Sequence, residues 1–211
     1  IGMTLFQIIL LLIGRIPLFD TLCISFGTAG TGGFGIVNDS MGSYSTYCQV
    51  VTTIFMILFG VNFSAYYLLL TKKFVQAFKF EEVRYYFGII LAAILVIGLN
   101  TAHLFRNLGE AFQQAAFQVG SIITTTGFSS TDFSQWPSLS KTILVLLMFV
   151  GACAGSTGGG IKVSRILILC KAAKKEFQLY LHPNAVKKIK MDEKTIGHDI
   201  IRSTNIYLSV Y

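Results

Sequence analysis

Three long stretches of the sequence contain no Asp, Glu, Lys, Arg or His, namely 40–71, 85–102 and 142–161. A helix needs about 20 residues to cross the hydrocarbon core of a bilayer, and each stretch is close to that length or longer. Charged residues make up only 13% of the chain, about half the usual share in a soluble domain. The sequence therefore predicts an all-α, polytopic membrane protein.

The formal net charge of +7 is concentrated in two linkers, 72–84 and 171–194, and each follows an apolar stretch. Cytoplasmic loops of membrane proteins collect Lys and Arg, so we expect both linkers to face the cytoplasm. Membrane topology accounts for the basic balance, and the charge distribution argues against nucleic acid as a partner.

With the two basic linkers inside, four apolar segments alternate in direction across the bilayer. They are Ile1–Ile16 outward, Tyr47–Thr71 inward, Tyr85–Ala102 outward and Lys141–Cys170 inward. The chain opens directly in one apolar run and ends in another, which indicates an internal piece of a longer protein.

Each outward segment is separated from its return segment by a polar stretch that begins with a short apolar segment. These segments, Phe19–Phe26 and Ala111–Phe117, are too short to cross the bilayer and are typical of re-entrant half-helices. Cys23–Phe34 also aligns without a gap on Phe117–Phe128. The repeat unit is therefore helix, re-entrant pore helix, Gly/Thr loop and helix, and such repeats place equivalent loops around one axis.

This repeat divides the chain into three parts. Residues 1–80 form one pore repeat, and residues 81–180 form a second. Residues 181–211 hold a cytoplasmic linker and the start of a further unit.

The loops that follow the two half-helices have the form of a cation filter. The first is Thr31, Gly32, Gly33 and Phe34, and the second is Thr125, Thr126, Gly127 and Phe128. In potassium filters of the form Thr-x-Gly-aromatic, backbone carbonyls replace the hydration shell of the ion. One such loop is an ordinary Gly-rich turn, but two at equivalent places between spans favour a filter. Neither loop contains a carboxylate, which argues against a Ca²⁺ or Mg²⁺ path.

A second unusual segment, Gly151–Gly160, interrupts the last apolar stretch with small residues. Each Gly costs about 1 kcal/mol relative to Ala in a helix, so we expect the helix to break here. The favoured interpretation is a gate below the filter. Its predicted residues are Gly155, Ser156, Thr157, Gly158, Gly159, Gly160 and, at the cytoplasmic mouth, Lys162.

Two alternatives exist for this segment. Small residues also form close helix-packing faces in membranes. A phosphate-binding loop shares the spacing of Gly155 and Gly160, but Ile161 occupies the position of its Lys.

Four segments together resemble the bacterial Trk/Ktr potassium uptake family: 31–35, 124–129, 154–163 and 181–186. The resemblance covers the whole chain. It implies four repeats around one filter, of which this chain holds the second and third. It places the filter glycines at Gly33 and Gly127 and the gate at Gly151–Gly160.

The same resemblance implies a homodimer in the bacterial inner membrane, with a cytosolic nucleotide-binding ring protein of the TrkA type docked beneath it. The expected function is channel-like uptake of K⁺, the transported ion, with no organic cofactor. An alternating-access carrier that couples K⁺ to H⁺ or Na⁺ also fits internal repeats. His103, His182 and His198 are scattered and form no catalytic set, so we do not expect an enzyme.

Overall fold

The computed structural model describes residues 1–73, 79–181, 189–192 and 194–210. The helices are α1 (Gly2–Ile13), α2 (Leu18–Ala29), α3 (Thr46–Phe59), α4 (Phe63–Leu70), α5 (Glu81–Thr101), α6 (Leu108–Ile123), α7 (Ser138–Val150), α8 (Val163–Leu181) and α9 (His198–Val210). Short 3₁₀ turns occupy Ala102–Leu104 and Phe133–Gln135. Two short antiparallel strands, β1 (Lys190–Met191) and β2 (Lys194–Thr195), precede α9. The helical architecture agrees with the predicted all-α class.

The predicted repeat appears in the order of the elements. A long helix, a pore helix, a Gly/Thr loop and a broken helix follow one another as α1, α2 and α3–α4, and again as α5, α6 and α7–α8. Both pore helices are longer than the apolar segments that predicted them. The motif residues 182–186 and the linker residues 74–78 lie outside the described part of the chain, so the two basic linkers are described only in part.

The expectation of a continuous helix over Tyr47–Thr71 is wrong. α3 and α4 meet at an angle of 93° across residues 60–62. Asn62 caps the new helix by accepting from the Ser64 N–H at 2.8 Å, as N-terminal Asn commonly does. The Tyr86 hydroxyl donates to the Ile57 carbonyl near the end of α3 at 3.0 Å, and a Cβ at Gly60 would overlap that hydroxyl. A tertiary contact therefore stabilises the break.

Among the described residues, one segment is by itself long and apolar enough to cross a membrane: Glu81–Leu104, with a mean hydropathy of 2.1. The α3–α4 pair meets the same criteria only as a bent unit, and α1, α2 and α7 are shorter apolar helices. Leu91, Leu95 and Leu99 are 60%, 55% and 65% exposed at four-residue spacing on α5. Such an apolar stripe is the surface that a lipid-facing helix presents.

Two hydrophobic cores hold the repeats. One lies around α5, α6 and α7, with Ile90, Ile97 and Leu144 buried. The other joins α1, α2 and α3 and also takes in Phe117 and Phe128 from the second repeat. The second repeat therefore supplies aromatic side chains to the core of the first, which fixes the two filter loops relative to each other.

Candidate cation filter and intramembrane loop

The two filter loops have the same backbone conformation. φ is positive at Thr31 (51°) and Gly33 (67°), and again at the equivalent Thr125 (57°) and Gly127 (91°). The hydrogen bonds also repeat: the Gly32 N–H donates to the Gly27 carbonyl at 2.8 Å, and the equivalent Thr126 N–H donates to that of Ser121 at 2.9 Å. Alternating positive φ turns successive peptide groups, which is the unusual backbone that a carbonyl filter requires.

The loops approach each other at Gly33. A Cβ at Gly33 would overlap the carbonyl oxygen of Thr126 and lie 2.9 Å from the carbonyl carbon of Gly127. A Cβ at Gly127 would meet only the Cα of Gly33, at 4.0 Å. Gly33 is therefore required by both its backbone conformation and its neighbour, whereas Gly127 is required by conformation alone.

The two filter aromatics, which the sequence makes equivalent, have different surroundings. Phe128 is 1% exposed and Phe34 is 86% exposed. A Cβ on Gly27 of α2 would lie 3.1 Å from the Phe128 ring, so this ring packs closely on the pore helix of the other repeat. The Ser121 hydroxyl donates to the Phe128 carbonyl at 2.6 Å. Phe128 thus anchors the second loop, and its carbonyl oxygen faces its own pore helix.

A buried network of glutamines, which was not predicted from the sequence, contacts the residues that follow the second filter loop. The Gln49 side-chain oxygen accepts from Gln113 at 3.1 Å and Gln114 at 3.2 Å. The Ser130 hydroxyl donates to Gln114 at 2.5 Å, and Gln118 donates to the Ser129 hydroxyl at 3.4 Å. The available signal was three Gln residues on the apolar helix α6, because buried polar side chains require partners.

At the predicted outer end, Tyr44 ties the segment before α3 to the start of the first pore helix. Its hydroxyl donates to the Asp20 carboxylate at 2.9 Å. Burial and this hydrogen bond raise the pKa of Tyr44 well above its ordinary value. The phenol therefore stays protonated and remains a donor.

The predicted break in the last apolar stretch is present. α7 ends at Val150 and α8 begins at Val163, and we call residues 151–162 the intramembrane loop. Its two ends lie side by side: a Cβ on Gly160 would be 2.7 Å from the Gly151 Cα, and the Val163 N–H donates to the Ala152 carbonyl at 3.1 Å. φ is positive at Gly151, Gly155, Gly160 and Lys162.

The tip of the intramembrane loop, residues 157–159, is hydrogen-bonded to both filter loops. The Thr31 hydroxyl donates to the Thr157 carbonyl at 3.2 Å, and the Gly159 N–H donates to the Thr125 hydroxyl at 2.6 Å. Thr31 and Thr125 occupy equivalent positions in the repeat. A Cβ on Gly158 would lie 3.0 Å from the Thr124 carbonyl oxygen, so the tip fits against the filter without room for side chains.

Two further predicted gate residues stabilise the loop internally. The Ser156 hydroxyl donates to the Cys153 carbonyl at 2.6 Å. The Lys162 ammonium donates to the Gly158 carbonyl. These bonds satisfy backbone carbonyls that an unbroken helix would have paired.

The intramembrane loop rests in the break between α3 and α4. The Cys153 N–H donates to the Gly60 carbonyl at 3.0 Å, and the Phe63 N–H donates to the Gly155 carbonyl at 3.1 Å. Each broken helix thus satisfies backbone groups freed by the other. This arrangement could not be predicted from the sequence, because a lone Gly60 in an apolar run is a weak signal for a break.

A buried carboxylate, also missed, touches both ends of the loop. Glu82 in the first turn of α5 is 3% exposed. One of its oxygens, Oε1, accepts from the Ala154 N–H at 2.6 Å and from the Ser164 N–H at 3.1 Å.

Known proteins are similar to this chain in sequence and in fold. A family model described as "TrkH: Cation transport protein" matches residues 5–210. The chain is 33% identical to the Trk system potassium uptake protein TrkH of Vibrio parahaemolyticus, covering 95% of this chain and 42% of the relative. It is 32% identical to that of Escherichia coli K12, covering 92% and 41%. These relatives are named as potassium uptake proteins rather than as enzymes.

The crystal structure of the potassium transporter TrkH from Vibrio parahaemolyticus has the same fold. It superposes with a TM-score of 0.92 at 31% identity, covering 99% of this chain and 46% of that chain. The chain therefore spans less than half the length of these relatives. By family match, identity and structure, the chain belongs to the TrkH family of cation transport proteins.

Proposed function

We propose that this chain contributes two of the repeats of a channel-like K⁺ uptake protein and that residues 31–33 and 125–127 supply part of its filter. The observation that carries the proposal is the repeated backbone of the two loops, with positive φ at equivalent positions. Carbonyl dipoles hold a large, weakly hydrated cation without a fixed charge and release it again. The names of the relatives, which specify potassium uptake, support K⁺ as the ion.

The intramembrane loop acts, in this proposal, as the gate. Its tip uses the hydroxyls of Thr31 and Thr125 as hydrogen-bond partners, and hydroxyl oxygens are potential ligands for a cation leaving the filter. A close-packing face would instead bring apolar or small side chains against a neighbouring helix. The polar backbone contacts with both filter loops favour the gate over packing.

The arrangement of repeats extends this proposal to the rest of the assembly. Residues 1–80 and 81–180 act as two pore repeats, with the second aromatic, Phe128, packed on the pore helix of the first repeat. The exposed ring of Phe34 is then available to a further repeat of the whole protein. We extend the proposal to a homodimer in the bacterial inner membrane and to a cytosolic nucleotide-binding ring protein that acts on the gate.

Single-channel recording of the full-length protein tests the channel mechanism against an alternating-access carrier. We expect discrete unitary currents in K⁺, because an open filter passes many ions for each opening. A carrier moves a fixed number of ions in each conformational cycle, so flux without unitary currents would favour K⁺ symport with H⁺ or Na⁺.

Cysteine labelling tests the proposed orientation. Cysteines introduced at Ser43 and Lys174, both exposed, in an otherwise cysteine-free protein are expected to label from opposite sides of the membrane. An impermeant maleimide added to intact cells should modify position 43 and spare position 174, which should label in inside-out vesicles. Labelling of position 174 from outside intact cells would contradict the topology.

A further inference from the structure

The two ends of the intramembrane loop lie side by side, and we call this part its neck. One side chain connects the neck to the start of α5 by hydrogen bonds. Glu82 Oε1 accepts from Ala154, near the loop's beginning, and from Ser164, just after its end. Ser164 lies in the first turn of α8, where free N–H groups and the helix dipole favour a negative charge. A carboxylate that is 3% exposed is costly to bury without such partners.

The same turn of α5 is also attached to the segments that follow the loop. Glu81 forms an ion pair with Lys171 of α8, and the backbone N–H of Glu81 donates to the Asp192 carboxylate at 2.8 Å. The Lys171 ammonium also donates to the Lys190 carbonyl at 2.7 Å. The turn that carries Glu82 is thus held to α8 and to the segment that contains β1.

We propose that Glu82 is the positioning residue that keeps the intramembrane loop beneath the filter loops. The backbone bond between Val163 and Ala152 closes the neck of the loop by itself, so Glu82 is not needed for the loop to exist. Its two bonds join the closed neck to α5 and thereby hold the tip against Thr31 and Thr125. The effect on ion flux rests on the proposed gate, whereas the effect on loop position does not.

The native Cys153 provides a readout of loop position that is independent of flux. Its side chain is 0% exposed, and the neighbouring Ala154 N–H is one of the two donors to Glu82. In full-length protein with Cys153 as the only cysteine, we expect maleimide to react slowly. Glu82→Gln should speed labelling by about tenfold, because an amide oxygen can still accept from both N–H groups but lacks the charge that makes such hydrogen bonds roughly twice as strong.

Glu176→Gln is the matched control, because it makes the same chemical change at an exposed carboxylate on α8. Its labelling rate should equal that of the parent protein. An unchanged rate in correctly assembled Glu82→Gln protein would overturn the proposal. If Glu82→Gln does not assemble, Glu82→Asp decides: its shorter side chain keeps the charge but cannot reach both donors equally, so a rate equal to the parent overturns the proposal as well.

Rb⁺ flux into proteoliposomes tests whether Glu82 acts through the loop. Glu82→Gln should raise flux in the otherwise intact protein and add nothing when residues 154–158 are also deleted. A further increase on top of the deletion would overturn the assigned route. If deletion of residues 154–158 left the flux unchanged, the proposed gate would be contradicted. Cys153 labelling would still report whether Glu82 holds the intramembrane loop in position.

Discussion

Gly33→Ala in the full-length protein is expected to lower K⁺ uptake by more than about tenfold. The new Cβ would overlap the Thr126 carbonyl oxygen, and Ala at a φ of 67° is strained by a further 1–3 kcal/mol, roughly a 5- to 150-fold effect. The loops would have to separate, which displaces carbonyls in both. Uptake of K⁺ by cells that lack their own K⁺ uptake systems measures the change.

Substitutions at two other glycines serve as comparisons for Gly33→Ala. Gly127→Ser should keep the protein assembled and lower its selectivity for K⁺ over Na⁺. Its Cβ meets only the Gly33 Cα, at 4.0 Å, so the strain comes from the backbone conformation, at a φ of 91°. Gly88→Ala on α5 adds a Cβ with nothing within 4 Å and should leave uptake unchanged. Equal uptake by the Gly33 and Gly88 variants would contradict the filter.

Deleting residues 154–158 is expected to raise Rb⁺ uptake per molecule in proteoliposomes by about tenfold or more, the effect of removing a barrier of about 1.4 kcal/mol or higher. The deletion removes the Thr157 carbonyl that binds Thr31 and the Gly158 backbone beside Thr124. The loop can close again because Gly151 and Gly160 already lie in contact. The deletion should also weaken control by a cytosolic ring protein, which would have no loop to move.

A packing role for the loop predicts the opposite result. Normal assembly with lower or unchanged flux would mean that the segment stabilises the α3–α4 break and does not obstruct ions. Deletion of the exposed residues 38 and 39, in the loop before α3, is a control for the general effect of shortening a loop. It should not raise flux.

The sequence was sufficient to predict the two Gly/Thr loops and the break in the last apolar stretch, because each carries its own local signal. The Gly/Thr loops occur twice, and a φ above zero is most readily adopted by Gly. The cluster of glycines at 151–160 likewise opposes a helix wherever it occurs. These features depend on residue type and spacing, which a single sequence displays.

Features that depend on tertiary partners could not be predicted. The break at Gly60 is stabilised by Tyr86 and by the intramembrane loop, both distant in sequence. Phe34 and Phe128 differ in burial because only Phe128 meets the neighbouring pore helix in this chain. Glu82 is adjacent in sequence to a second Glu at the start of a helix, where carboxylates are common. The sequence therefore gave no reason to predict that Glu82 is buried.

Anomalous diffraction from crystals of the full-length protein in Rb⁺ tests the central claim most directly, because it locates the ion itself. The proposed filter predicts Rb⁺ peaks between the loops, in contact with carbonyl oxygens of residues 31–33 and 125–127, that disappear when K⁺ replaces Rb⁺. Rb⁺ peaks found only away from these loops would contradict it.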